Sequence, residues 1–313
     1  MWRTSGMRIV QAVPLLLFVS ALTFVLQLFI PGDAARSIGG LNASPEAVAA
    51  LRHRLHLDQP VWVRYWEWLK DAVHGDLGQS ISSNESVSGS LNTRLGVTLS
   101  LVIATTLLAL VIGVVLGMAS ARGGRITRVT ADVASIAGMT IPAFWVGLLG
   151  IWVFNTQFGL LPANGYVFFG TSAGGWLRSL VLPVTALAFA LVTVIAKQTR
   201  EQFADVLNRD FVRNLRANGV SERSILFKHA LRHVSVTVLT VAGNNLIGLL
   251  GAAVVVEELF GLPGLGSAAV TAASSGDIPV IQGVAVYFTL IVVALNLLVD
   301  LAVGWLNPQA VAA

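Results

Sequence analysis

The chain has no cysteine, three lysines and little charge of either sign. Without cysteine among 313 residues, disulfides and thiolate metal sites are excluded, and redox chemistry says nothing of compartment. Only 12% of residues are charged against 55% hydrophobic, about half the charged share of an ordinary soluble domain, so lipid is the expected solvent. Lys70, Lys197 and Lys228 are the only lysines and none follows a glycine. That removes a G-x-x-x-x-G-K-[ST] phosphate loop and ATP hydrolysis by that route. His53, His56, His74, His229 and His233 all fall outside the apolar runs, so no Ser–His dyad or His-rich metal site is expected within them.

What is present is a series of long apolar runs. Six stretches, near 9–30, 96–120, 130–157, 179–196, 234–256 and 280–306, have the length of about 20 residues needed to cross a bilayer. The first holds 22 uncharged residues, longer than the roughly 7–15 of a signal-peptide core, and reads as a retained span. Basic residues set the orientation. Arg3 and Arg8, then Arg122, Arg125 and Arg128, then Lys197, Arg200, Arg209, Arg213, Arg216, Arg223, Lys228 and Arg232 lie on one side; they are 13 of the 20 Lys and Arg. The expectation is an all-α membrane protein of six transmembrane helices, N-in and C-in. The net charge of +4 follows this topology, so no nucleic-acid partner is expected. The chain divides into 1–93, the first span with a long outer segment, and 94–313, a five-helix core with a cytoplasmic loop at 197–233.

The outer segment carries helix signals. "SPEAVAALRHRLHL" opens on a Ser cap with Pro in the first turn, and "PVWVRYWEWLKDAVHG" sets Trp62, Tyr65, Trp66 and Trp68 among apolar residues, as at a membrane interface or in a lid over the outer mouth. Pro14, Pro142 and Pro183 disturb three spans. Gly113 and Gly117 form a small-xxx-small pair suited to close helix contact. Asn244, Asn245 and Asn296 are polar within spans and either line a pathway or bond between helices. Asp300 lies near the inner end of the last span, where pairing with arginine or snorkelling is expected.

The inner stretch "RANGVSERSILFKHALRH" (216–233) sets Arg216, Arg223, Lys228 and Arg232 between two spans. Asn218–Gly219 signals a helix stop, and Ser221 caps a second helix through about His233. On it Leu226, Phe227, Ala230, Leu231 and Val234 share an arc of about 140° at about 100° per residue; Ile225 falls outside. A helix lying flat on lipid accounts for the basic face. A protruding knuckle that docks a cytoplasmic partner also accounts for the abrupt turn.

These residues resemble the permease subunits of ATP-binding-cassette importers, specifically the dipeptide, oligopeptide and nickel group. The likeness extends over about residues 8–308, through "SPEAVAALRHRLHLDQPVWVRYWEWL", "GDLGQSI", "TIPAFWVGLLGIWVF", "FGLLPANG", "VVVEELFGLPGLG", "SGDIPVIQG" and "NLLVDLAVGWLNP". It implies a type I importer permease bundle in the inner or plasma membrane, without enzymatic activity or cofactor of its own. ATP and magnesium would be bound by partner subunits. The partners implied are a second permease forming a heterodimer, two cytoplasmic ATPases and an extracytoplasmic solute-binding protein. Arg213, Arg216, Ala217, Asn218, Gly219, Val220, Ser221 and Glu222 then occupy the turn that couples to the ATPase. Two departures stand out: Arg213, Asn214 and Leu215 where the wider superfamily has Glu-Ala-Ala, and Thr237 where the group usually has proline. Pro263, Gly264 and Gly266 would form a turn closing the outer mouth, with Glu257 and Glu258 facing a binding protein, a peptide N-terminus or only solvent. Dipeptides or oligopeptides are the implied substrates, with nickel or haem-like ligands as the alternative. A secondary transporter is disfavoured because only Asp300 is clearly charged within a span.

Overall fold

The computed structural model describes residues 2–26, 44–54 and 58–306, and among them every regular element is helical, with one isolated bridge between Gln79 and Ser86. The helices are α1 (Trp2–Leu26), α2 (Pro45–Arg54), α3 (Val61–Val73), α4 (Val87–Arg122) and α5 (Arg125–Thr140), then α6 (Ala143–Gln157), α7 (Ala173–Leu207), α8 (Asp210–Ala217), α9 (Glu222–Leu259), α10 (Leu265–Ser275) and α11 (Ile278–Leu306). Four of them, α4, α7, α9 and α11, are long and apolar enough to cross a membrane. The described part of the first expected span is apolar over Ala12–Leu26; residues 27–30 lie outside the described residues.

The third expected span is not straight. α5 and α6 pass the same test of length and hydropathy only when taken together, as a broken span or a re-entrant loop, and they are bent by 95°. The cause is Pro142, which disfavours helical backbone in the residue before it. Ile141 accordingly takes φ −77 and ψ 120, and Pro142 stands at the N-cap of α6. Pro183 sits inside α7 without ending it, so proline alone does not decide a break.

The chain forms two compact units, one built on Leu99–Leu262 with the end of α11 from Ala294, the other on Met7–Thr98 and Pro263–Val293. In the first, α7 is the most buried helix, with Leu187, Ile195 and Phe203 in its core. Glycines let neighbours approach it. A Cβ on Gly117 of α4 would stand 2.5 Å from Thr199 Cβ, and Gly113 and Gly138 face Ile195 and Thr193 as closely. The small-xxx-small pair of α4 thus serves contact with α7.

In the second unit α3 and α11 are both tied to α1. Phe24, Tyr65 and Trp68 form an aromatic cluster with centroids 5.6–6.3 Å apart, and Tyr65 Oη donates to Leu17 O at 3.2 Å. Buried Gln282 of α11 donates to Ser20 O at 2.8 Å. The Ser44 cap holds, with Ala47 N–H donating to Ser44 Oγ at 3.2 Å. Trp62 and Trp66 stay exposed on the other face of α3.

Candidate functional site

The turn at 213–222 is built from two helix ends set back to back. α8 closes in a Schellman motif: Val220 N–H donates to Leu215 O and Gly219 N–H to Arg216 O, each at 3.0 Å. The 6→1 and 5→2 pairing requires a left-handed residue at C′, and Gly219 has φ +75. Val220 leads directly into Ser221, whose side chain accepts from Ser224 N–H at 3.4 Å as the cap of α9. Across the turn Arg216 Nε donates to Glu222 Oε1 at 2.6 Å and Nη2 to Oε2 at 3.4 Å. That bond holds the exposed Glu222 carboxyl below its usual range, helped by the charge of Arg122, and raises Arg216 in return. Arg213 pairs with Asp210 at 3.2 Å on the same exposed surface.

Buried Val212, Ile225, Leu226, Ala230 and Val234 anchor the turn from beneath. Ile225 belongs to the apolar side although it falls outside the α-helical arc, and Phe227, inside that arc, is exposed. Ile225–Ala230 is π-helical, and its wider i→i+5 turn advances each residue by less than 100°, which shifts the phase. The helical stretch that leads into the turn is itself broken once. α7 ends at Leu207 and α8 begins at Asp210, so the turn stands on its own short helix. Beyond it α9 continues for 38 residues in total, about 57 Å at about 1.5 Å per residue. It passes Thr237 without interruption.

At its other end α9 stops in a second Schellman motif. Leu262 N–H donates to Glu257 O at 2.8 Å and Gly261 N–H to Glu258 O at 3.2 Å, with Gly261 at φ +57. Phe260–Gly261 repeats the Asn218–Gly219 signal, and sequence reasoning passed over it for the prolines and glycines that follow. Glu257 and Glu258 therefore lie in the last turn of α9 rather than in a loop. Glu258 is exposed, whereas Glu257 is fully buried, so loop solvation does not describe it. The stretch beyond holds a helix: Gly264 is the N-cap of α10, Gly266 is buried in its first turn, and Pro263 precedes both. Leu265 N–H donates to Thr98 Oγ1 at 2.9 Å.

The asparagines differ in environment. The Asn245 side chain donates to Val241 O of its own helix at 2.8 Å, Asn244 is exposed, and Asn296 is half-buried. No hydrogen bond links the three among the described residues.

Asp277 is the polar residue that sequence reasoning left unassigned. It is 2% exposed. Its carboxylate accepts from Ser80 Oγ at 2.5 Å, from Ser82 Oγ, and from the N–H groups of Ile81 and Ser82 at 3.2 and 3.1 Å. It also caps α11 through Val280 N–H. Burial works to raise this carboxyl, and the four hydrogen bonds outweigh it, so it lies below the ordinary range. Asp followed by Ile-Pro was a legible cap signal; its partners, 195–197 residues away, were not.

Comparison with known proteins sets this geometry in a family. Residues 109–311 match the binding-protein-dependent transport system inner membrane component, and residues 1–102 match the N-terminal part of such membrane components. A Brucella abortus (strain 2308) protein named for a peptide transport system permease is 40% identical over 304 residues, 96% of each chain. A Brucella suis biovar 1 protein of the same designation is likewise 40% identical over 304 residues. The glutathione transport system permease protein GsiC of Escherichia coli is 36% identical over 303 residues, again 96% of each chain. The chain therefore belongs to the inner-membrane components of binding-protein-dependent transport systems, the multi-pass permease subunits of ATP-binding-cassette importers.

Proposed function

We propose that the chain forms half of the translocation route of an ATP-driven importer of short peptides, glutathione-type peptides included, and that residues 213–222 are its coupling lever. The relatives' designations support the substrate class. The observation that carries the lever is the Schellman turn at Gly219 running straight into capped α9. A push on an exposed, charge-paired turn is transmitted along one uninterrupted helix to Glu257 and Glu258. The importer would comprise a second permease, two ATPases that bind ATP and magnesium, and a solute-binding protein outside. Six spans are read from the six apolar runs and the N-in, C-in orientation from the distribution of arginine and lysine, with 1–93 as first span and outer segment and 94–313 as permease core. Nucleotide closure of the ATPases would bias the bundle between inward- and outward-open states. Glu257, Glu258, Pro263, Gly264 and Gly266 would belong to the outer gate, and Asn244, Asn245 and Asn296 to the route.

The test is to co-express the chain with its ATPases, partner permease and binding protein and to substitute Gly219→Val. Lost recovery of the complex, or ATP hydrolysis that no longer responds to peptide, is the expected result. Unchanged assembly together with unchanged stimulation would sink the lever and leave α8 as a helix lying on lipid.

A further inference from the structure

Where α4, α5 and α7 converge near their charged ends they enclose a cleft of about 310 Å³. Its origin lies in the helix crossings. α4 is drawn onto α7 at Gly117 and Thr199, α5 at Gly138 and Thr193. Between these two contacts the lining is small, with Ala131, Ala134 and Ala196 along the walls.

The cleft has a charged mouth and an apolar interior. Lys197 is the first charge after the apolar run 179–196, so it marks the headgroup level on α7. Arg200, one turn further out, pairs with Asp132 of α5 at 2.5 Å. With Asp132 engaged, Lys197 is the surplus cation: it is exposed and makes no ion pair among the described residues. Deeper in, Val192 lies five residues before Lys197, about 8 Å into the apolar layer at about 1.5 Å per residue. The hydroxyls there are turned inward on their own helices: Thr193 donates to Ala190 O at 2.6 Å and Ser135 to Ala131 O at 2.7 Å. At this depth the wall therefore presents mostly carbon to an occupant.

We propose that this cleft holds an anionic phospholipid of the inner leaflet, its phosphate at Lys197 and the upper part of one acyl chain against Leu116, Ala134 and Val192. Free phosphate would satisfy the lysine and leave the wall wet. A zwitterionic lipid would cover the wall and bring its own cation toward the lysine. Only a lipid of net negative charge satisfies both. The choice of leaflet rests on the N-in reading; the site itself is independent of the coupling lever.

The experiment is native mass spectrometry of the purified full chain in mild detergent, titrated with phosphatidylglycerol or phosphatidylcholine, with inorganic phosphate as competitor. Phosphatidylglycerol should bind in preference. Lys197→Gln should weaken it about fivefold, from about 1 kcal/mol per basic residue at the surface, and Lys197→Arg should restore it. Ala134→Leu, which fills the wall, should weaken both lipids. Equal binding of the two lipids, unchanged phosphatidylglycerol affinity in Lys197→Gln, or displacement by inorganic phosphate would each overturn the site. Gly219→Val should leave lipid binding intact, so failure of the coupling lever and failure of this site read out separately.

Discussion

The turn at 216–222 and the carboxylate latch at Asp277 solve the same problem, fixing a polar loop onto a helix, by opposite means. At the turn the partners Arg216 and Glu222 are six residues apart and exposed. The backbone does the fixing, through one left-handed glycine and one serine cap. At the latch a buried carboxylate gathers four hydrogen bonds from Ser80, Ile81 and Ser82, almost 200 residues earlier in the chain. Exposed charge pairs contribute little because water and salt screen them. A buried acceptor of several bonds contributes more, because its removal strands the donors. The turn is thus expected to tolerate loss of charge and resist backbone change, and the latch the reverse.

Removing the carboxylate at the latch should be the most damaging change. Asp277→Ala is expected to cost on the order of 3 kcal/mol, since bonds to a charged acceptor contribute roughly 1.5–3 kcal/mol and several donors are orphaned. Thermal unfolding of the purified chain and proteolysis within 78–86 would measure it, and Asp277→Asn should fall between the two. A wild-type melting curve for the alanine variant would break the comparison. Gly219→Val comes next, at about 1–3 kcal/mol for a β-branched residue at positive φ. Gly219→Asn should be milder, so identical melting of the two variants would deny the left-handed turn its role.

The pH response sharpens the contrast. The folded-state pKa of Asp277 is depressed, so its contribution is fully present above the unfolded carboxyl value of about 3.9 and is lost as pH falls through the lower folded value. Melting temperature should hold from neutral to mildly acid pH and drop below about pH 4, and the drop should shrink in Asp277→Asn. The smallest effect is expected from Glu222→Gln. Its side chain is exposed, and melting should stay within error of the wild type at physiological salt, while peptide-stimulated hydrolysis reports whether the pair matters to coupling.

Much of this was legible because it is local. The apolar runs follow from composition, the caps at Ser44 and Ser221 from single residues, and the stop at Asn218–Gly219 from the left-handed backbone that only glycine adopts readily. What escaped was phase and distance. The π-helical turn at Ile225–Ala230 rotates the apolar face and exchanges the places of Ile225 and Phe227, because a pattern read at 3.6 residues per turn assumes a uniform helix. The family resemblance located the outer motifs, yet Glu257 looked like a loop residue until the helix carried it into a buried position.

The sequence by itself determined the solvent, the helical class, the family and the glycine stop at Asn218–Gly219, since each depends on side chains within a few residues of one another or on summed hydropathy. Tertiary structure decided that the apolar run breaks by 95° at Pro142 while Pro183 does not end its helix. It also decided that Asp277 answers to Ser80 and Ser82, and that Gly117 and Gly138 leave a lysine-rimmed cleft between their crossings. Those outcomes depend on which surfaces meet across hundreds of residues, and no local pattern encodes that meeting.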